Sequence, residues 1–146
     1  MPRLLVVHHT PSPTLAAILG AVQEGIAMVE EVELVVRPAL SAGAADVLTA
    51  DGVLLGTPAN IGYMSGALKH FFDTVYYPCL DATGGLPYGV YVHGNDDTAG
   101  ALASIQRITG ALRWKLVAAP LSLTGAPDPA DLEACRELAA TVAVSL

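Results

Sequence analysis

GVLLGTPANIGYMSGALKHFFDTV, residues 52–75, changes its pattern partway along. Gly52 to Gly56 is a short apolar run bounded by glycines, the pattern of a strand buried on both faces. From Gly62 onward, Met64, Ala67, Leu68, Phe71, Phe72 and Val75 recur on one helical face, so a helix is expected to open at Gly62. Between them, Thr57 to Met64 is small, polar and glycine-containing. Strand, loop and amphipathic helix in this order make half of a parallel crossover unit.

The same unit recurs in both directions. Arg3 to His9 reads as a buried strand, followed by a helix with Ser12 at its N-cap and Pro13 at its first position. Leu15, Ile18, Leu19, Val22 and Ile26 form that helix's inward face. Glu31 to Arg37 is a second strand, and Asp46 to Ala50 a short helix or turn. Beyond the opening segment, Leu86 to His93 is a fourth strand and Asp96 to Leu112 a helix with Leu102, Ile105, Ile108 and Leu112 inward. Trp114 to Leu123 is a fifth strand, interrupted or ended at Pro120. Asp128 and Pro129 then open a last helix whose inward residues are Leu132, Cys135, Leu138 and Val142. Five strands alternating with helices predict a three-layer, doubly wound parallel sheet in the order 2-1-3-4-5, formed by residues 1–146 as one domain.

Composition narrows the function. Hydrophobic residues make up 53% of the 146 residues and aromatic ones only 5%, so Ala, Val and Leu fill the interior. The formal charge is −7, and the seven Lys and Arg are scattered, which excludes a clustered nucleic-acid surface. No apolar run reaches membrane-spanning length. Cys79 and Cys135 stand alone, without metal-ligand spacing, and read as free thiols of a reducing cytosol; the expected location is cytoplasmic.

An open parallel sheet binds ligands beyond the carboxyl ends of its strands, at the point where the strand order reverses. Three loops meet there: His8 to Thr14, Thr57 to Met64, and His93 to Gly100. The connections Arg37 to Gly43 and Leu123 to Asp128 read as plain turns at the opposite edge. In the first loop, His9-Thr10-Pro11-Ser12-Pro13-Thr14 runs into a helix N-terminus that favours a phosphate, and three hydroxyls add donors. Helix capping alone accounts for the hydroxyls equally well. Pro11 and Pro13 each remove a backbone donor. Neither a nucleoside-triphosphate loop nor a dinucleotide fingerprint is present.

Gly56-Thr57-Pro58-Ala59-Asn60-Ile61-Gly62-Tyr63-Met64-Ser65-Gly66-Ala67-Leu68-Lys69-His70-Phe71-Phe72-Asp73 resembles the G-T-P-x-x-x-G-x-M-x-x-x-x-K-x-F-x-D segment of flavodoxin-like NAD(P)H-dependent FMN and quinone reductases. The resemblance implies a flavodoxin-like fold with FMN as cofactor. The first loop, His9 to Thr14, would hold the FMN phosphate. Thr57, Pro58, Ala59, Asn60, Ile61, Gly62, Tyr63 and Met64 would run along the isoalloxazine ring. His93, Gly94 and Asn95 would contact the ring from the third loop, while Asp97 caps the next helix. His93 reads equally well as a hydrogen-bonded residue at a strand end.

The leading expectation is an oxidoreductase that passes electrons from NAD(P)H through FMN to a quinone or another small acceptor, with no side chain nominated as catalytic acid or base. The first alternative is a short-chain flavodoxin-type electron carrier; the second is a binding module of the same fold that no longer holds FMN tightly. Phe71 and Phe72 are read as core. Tyr76 and Tyr77 either wall the substrate space or pack against a second subunit in a homodimer.

Overall fold

The computed structural model describes residues 1–146. Seven strands and five helices follow in the order β1 (Arg3–His8), α1 (Pro13–Ala27), β2 (Glu33–Pro38), α2 (Ala44–Leu48), β3 (Gly52–Asn60), β4 (Tyr63–Met64), α3 (Gly66–Cys79), β5 (Pro87–His93), α4 (Thr98–Ala111), β6 (Lys115–Leu116), β7 (Leu121–Leu123) and α5 (Pro129–Val144). The main sheet runs β2-β1-β3-β5-β6, with β7 also paired to β5, and all of these pairings are parallel. With β6 and β7 taken as two halves of one broken strand, this is the expected doubly wound order.

Strand alternation sorts the interior into two cores. Leu5, Val7, Val53, Leu55, Val90 and Val92 face α2, α3 and α4, with Leu68, Phe71, Phe72 and Ile105 packed against them. Leu4, Val6, Leu54 and Tyr91 face the other way, onto Leu15, Ile18 and Val22 of α1 and Cys135, Leu138 and Val142 of α5. Leu4 to Val7 and Val53 to Leu55 have no exposed surface, which explains why these strands read as continuous apolar runs. Phe71 and Phe72 are core, as expected. On α4 the inward face differs slightly: Ala101, Ile105 and Thr109 are buried, while Leu102 and Ile108 are half-buried at its flanks.

Helix starts were legible where a cap and a proline coincide. Ser12 caps α1 through Leu15 N, and Asp128 caps α5 through Asp131 N. The start at Gly62 is corrected. Ser65 is the N-cap of α3, accepting from Leu68 N, and the helix proper begins at Gly66. The third strand runs on to Asn60 and turns back as a hairpin, with Ala59 paired to Met64 and Asn60 to Tyr63. The fifth strand is broken over residues 117–120 rather than ended there, leaving β6 and β7 on the same side of β5.

Two further corrections concern position. The Arg37–Gly43 and Leu123–Asp128 segments follow the carboxyl ends of parallel strands, so they lie at the same end as the three candidate loops. Ala39 N donates to His8 O, and Gly94 N donates to Leu123 O. Conversely, α3 leads away from that end. Tyr76 lies ten residues past Gly66, about 15 Å along the axis at 1.5 Å per residue. Tyr76 and the exposed Tyr77 therefore wall no substrate space at the loops.

Candidate functional site

β1 delivers the first loop. Its last residue, His8, lies in register with Gly56 of β3, which in turn pairs with Tyr91 of β5. His9 N donates to Gly56 O at 3.0 Å, which pins the loop to the reversal point of the sheet. His8 Nδ1 lies 2.7 Å from Thr10 Oγ1. Partial burial of His8, together with the neighbouring His9, lowers its pKa below the usual 6.5. Ser12 Oγ accepts from Leu15 N at 3.2 Å. With prolines at 11 and 13, the amides of Thr10, Ser12 and Thr14 are the loop's donors, each beside its own hydroxyl. The first turn of α1 carries no acidic residue to repel an anion. Alternate residues thus supply the donors, two of whose hydroxyls are already engaged, Thr10 with His8 and Ser12 with Leu15 N.

β3 and β4 build the second loop as a two-residue hairpin. Ile61 has φ +52° and Gly62 φ +68°, both left-handed, as a type I′ turn requires. Glycine accepts that conformation readily, whereas a β-branched isoleucine does not. Ile61 is nonetheless fully exposed at the tip, with Asn60 and the partly exposed Tyr63 beside it. Thr57, Pro58 and Met64 are buried beneath the loop surface. The Thr57 hydroxyl closes the base of the loop by accepting from Ser65 N at 3.0 Å. Met64 N donates to Ser104 Oγ of α4 at 3.1 Å.

The third loop packs on the second. Pro58 and His93 are in register, and a side chain on Gly94 would stand 2.9 Å from the Ala59 Cβ. His93 Nε2 donates to Gly125 O at 2.8 Å, which is the strand-end role left open by the sequence. That bond leaves Nδ1 as the ring's remaining polar atom. Asn95 and Asp96 are exposed. Asp97 caps α4, as expected, with Oδ1 accepting from Gly100 N at 2.9 Å. It does so with φ +40° and ψ +53°, again left-handed.

The candidate residues thus fall into two bodies at one end of the sheet. His9 to Thr14 form a donor-rich helix entrance. Ala59 to Tyr63 and His93 to Asn95 form a joined pair of loops across from it. The surface between them is open; the three depressions found on the molecule lie at the amino ends of the strands or on the outer flank beside Pro120 and Leu138. Two supporting residues had no signature in the sequence: Ser104, which holds Met64, and Gly125, which holds His93. Gly56, the first residue of the G-T-P segment, lies beneath the Tyr91 ring. A Cβ at Gly56 would overlap the Tyr91 ring. The Tyr91 hydroxyl is buried without a hydrogen-bond partner, and burial raises its pKa well above the ordinary value.

No family model matches the chain. A flavodoxin from Aquifex aeolicus is 35% identical over 75 residues, a stretch covering 51% of this chain and 40% of that relative's length. Among solved structures, a flavodoxin from the domain Archaea superposes with a TM-score of 0.85 at 17% identity, covering 98% of this chain and 97% of that one. A flavodoxin described as a WrbA-like protein, from Agrobacterium tumefaciens, superposes with a TM-score of 0.77 at 21% identity over 99% and 96% of the two chains.

Proposed function

We propose that this chain, which has the flavodoxin-like fold, binds FMN at the carboxyl ends of β1, β3 and β5 and functions as a redox flavoprotein. The observation that carries the reading is the pairing of two unlike surfaces across the reversal point: the acid-free entrance to α1, with donors at 10, 12 and 14, and the exposed hairpin tip docked on the third loop. The phosphate would be held by Thr10, Ser12 and Thr14, with His9 beside them. The ring would lie against Asn60, Ile61, Gly62 and Tyr63, with backbone from Gly94 and Asn95 at its polar edge. FMN, when bound, supplies electron and hydride transfer; the protein binds it, orients it and limits water at its face.

A phosphate-built site discriminates by phosphate. Titrating the apoprotein with FMN, FAD and riboflavin should give the tightest binding for FMN, and equal affinity for riboflavin would remove the phosphate site. Ser12→Ala with Thr14→Ala should weaken FMN selectively, since a hydrogen bond to a charged group contributes about 1.5–3 kcal/mol. Riboflavin binding should change little.

Within that function, the first reading is an NAD(P)H-dependent reductase that passes electrons to a quinone or similar small acceptor. It is supported by the aliphatic tip, which leaves room for a nicotinamide to stack. The second reading is an electron carrier that exchanges electrons with protein partners, supported by the near-complete overlap with the archaeal flavodoxin. Steady NAD(P)H consumption with a soluble quinone, lost in Ile61→Trp while FMN stays bound, supports the reductase. No NAD(P)H oxidation, with rapid electron exchange with a one-electron protein donor, makes it a carrier.

A further inference from the structure

The hairpin and the start of α4 are strained at the place where they touch. Ile61 and Asp97 are both non-glycine residues held in left-handed backbone, at φ +52° and +40°. Such conformations are costly and persist only where surrounding contacts over-determine them. The contacts here are specific. A side chain at Gly62 would stand 2.5 Å from Asp97 Oδ2, so that carboxylate oxygen lies directly against the Gly62 backbone. In return, the Gly62 carbonyl lies against Gly100, where a Cβ would collide with it. The other carboxylate oxygen, Oδ1, accepts from Gly100 N at 2.9 Å, and Ser104 one turn further on accepts from Met64 N at 3.1 Å. Asp97 takes part in none of the ion pairs of the molecule. Oδ1 caps the helix, and Oδ2, which makes no hydrogen bond, rests against Gly62.

We infer that Asp97 is a positioning residue for the ring side of the site: its carboxylate ties the first turn of α4 to the Ile61–Gly62 turn and holds that turn left-handed. Without it, the turn loses the contact that offsets the strain at Ile61, and the tip leaves the position from which it covers a ring. This inference rests on the FMN reading, and it concerns only the half of the site that meets the ring.

Asp97→Gly removes the carboxylate while keeping a residue that accepts φ +40°. Asp97→Asn keeps an N-capping side chain that tolerates the same conformation. The inference expects Asp97→Gly to weaken FMN and riboflavin by the same factor, about five- to tenfold for a contact of ordinary coupling strength. Asp97→Asn should restore most of that loss. Gly62→Ala attacks the same contact from the other side and should cost less in the Asp97→Gly background than alone. Gly25→Ala provides the control: it crowds α1 against the Arg136 backbone of α5, away from the loops, and should lower stability without changing either affinity.

If Asp97→Gly lowers only the unfolding midpoint, with both affinities unchanged, Asp97 is a cap and the inference is overturned. Additive effects of Gly62→Ala and Asp97→Gly on riboflavin affinity would overturn it as well. Failure of the wild-type protein to bind FMN or riboflavin is a different result, because it removes the proposed function itself.

Discussion

At the scale of single residues, Ile61 and His8 carry costs that can be measured. Ile61 holds φ +52° while fully exposed, so it receives no burial energy in return. Ile61→Gly should stabilise the apoprotein by about 1 kcal/mol, the relief of left-handed strain less the added freedom of glycine in the unfolded chain. The same change should weaken riboflavin binding, because the apolar tip is lost. Urea unfolding and ligand titration on one preparation check both. His8 bears on acidity. Its folded pKa lies below 6.5, so below pH 6.5 the unfolded chain takes up a proton that the folded chain resists. Stability therefore falls as pH drops through 6.5 toward the folded value, and levels off beneath it. His8→Gln should flatten that part of the profile, as read from urea midpoints on either side of pH 6.5.

At the scale of elements, the β3–β4 hairpin was the least legible part of the chain. Asn60 and Gly62 would announce a type I′ turn if adjacent, but Ile61 separates them and contributes the wrong propensity. The helical spacing of Met64, Ala67 and Leu68 also runs through the true start, so it hides the Ser65 cap. Where proline followed a capping residue, at 12–13 and 128–129, the helix starts were readable to the residue. Composition alone gives the segments 37–43 and 123–128 no direction; strand polarity does. Thr57 tests the hairpin as a unit. Thr57→Val keeps the shape but leaves the buried Ser65 N without its acceptor, and should cost about 1–3 kcal/mol. Ser65 N should also lose protection in hydrogen exchange.

At the scale of the molecule, the fold and the end of the sheet that bears the loops were legible because they follow from alternation and topology. The contacts between distant elements were not. Gly25 of α1 is the clearest case: a side chain there would overlap the backbone of Arg136 on α5. The sequence shows only a glycine in a helix; the structure shows two helices in backbone contact. Gly25→Ala should destabilise by about 1–3 kcal/mol or more through overpacking. Since Gly25 lies about 18 Å along α1 from Pro13, FMN and riboflavin affinities should be unchanged in the folded fraction.

The interruption between β6 and β7 bears on how copies of this chain meet one another. A long, flat outer strand presents a row of unpaired amides and carbonyls on which a neighbouring polypeptide can lay down another strand. Here β6 has two residues and β7 three, separated by a bend that contains Pro120, and Lys115 puts a charge at one end. An incoming chain would find no stretch long enough to zip onto. This edge of the sheet, unlike the six-residue β2 at the other, thereby presents no continuous row of groups for a neighbouring chain to extend.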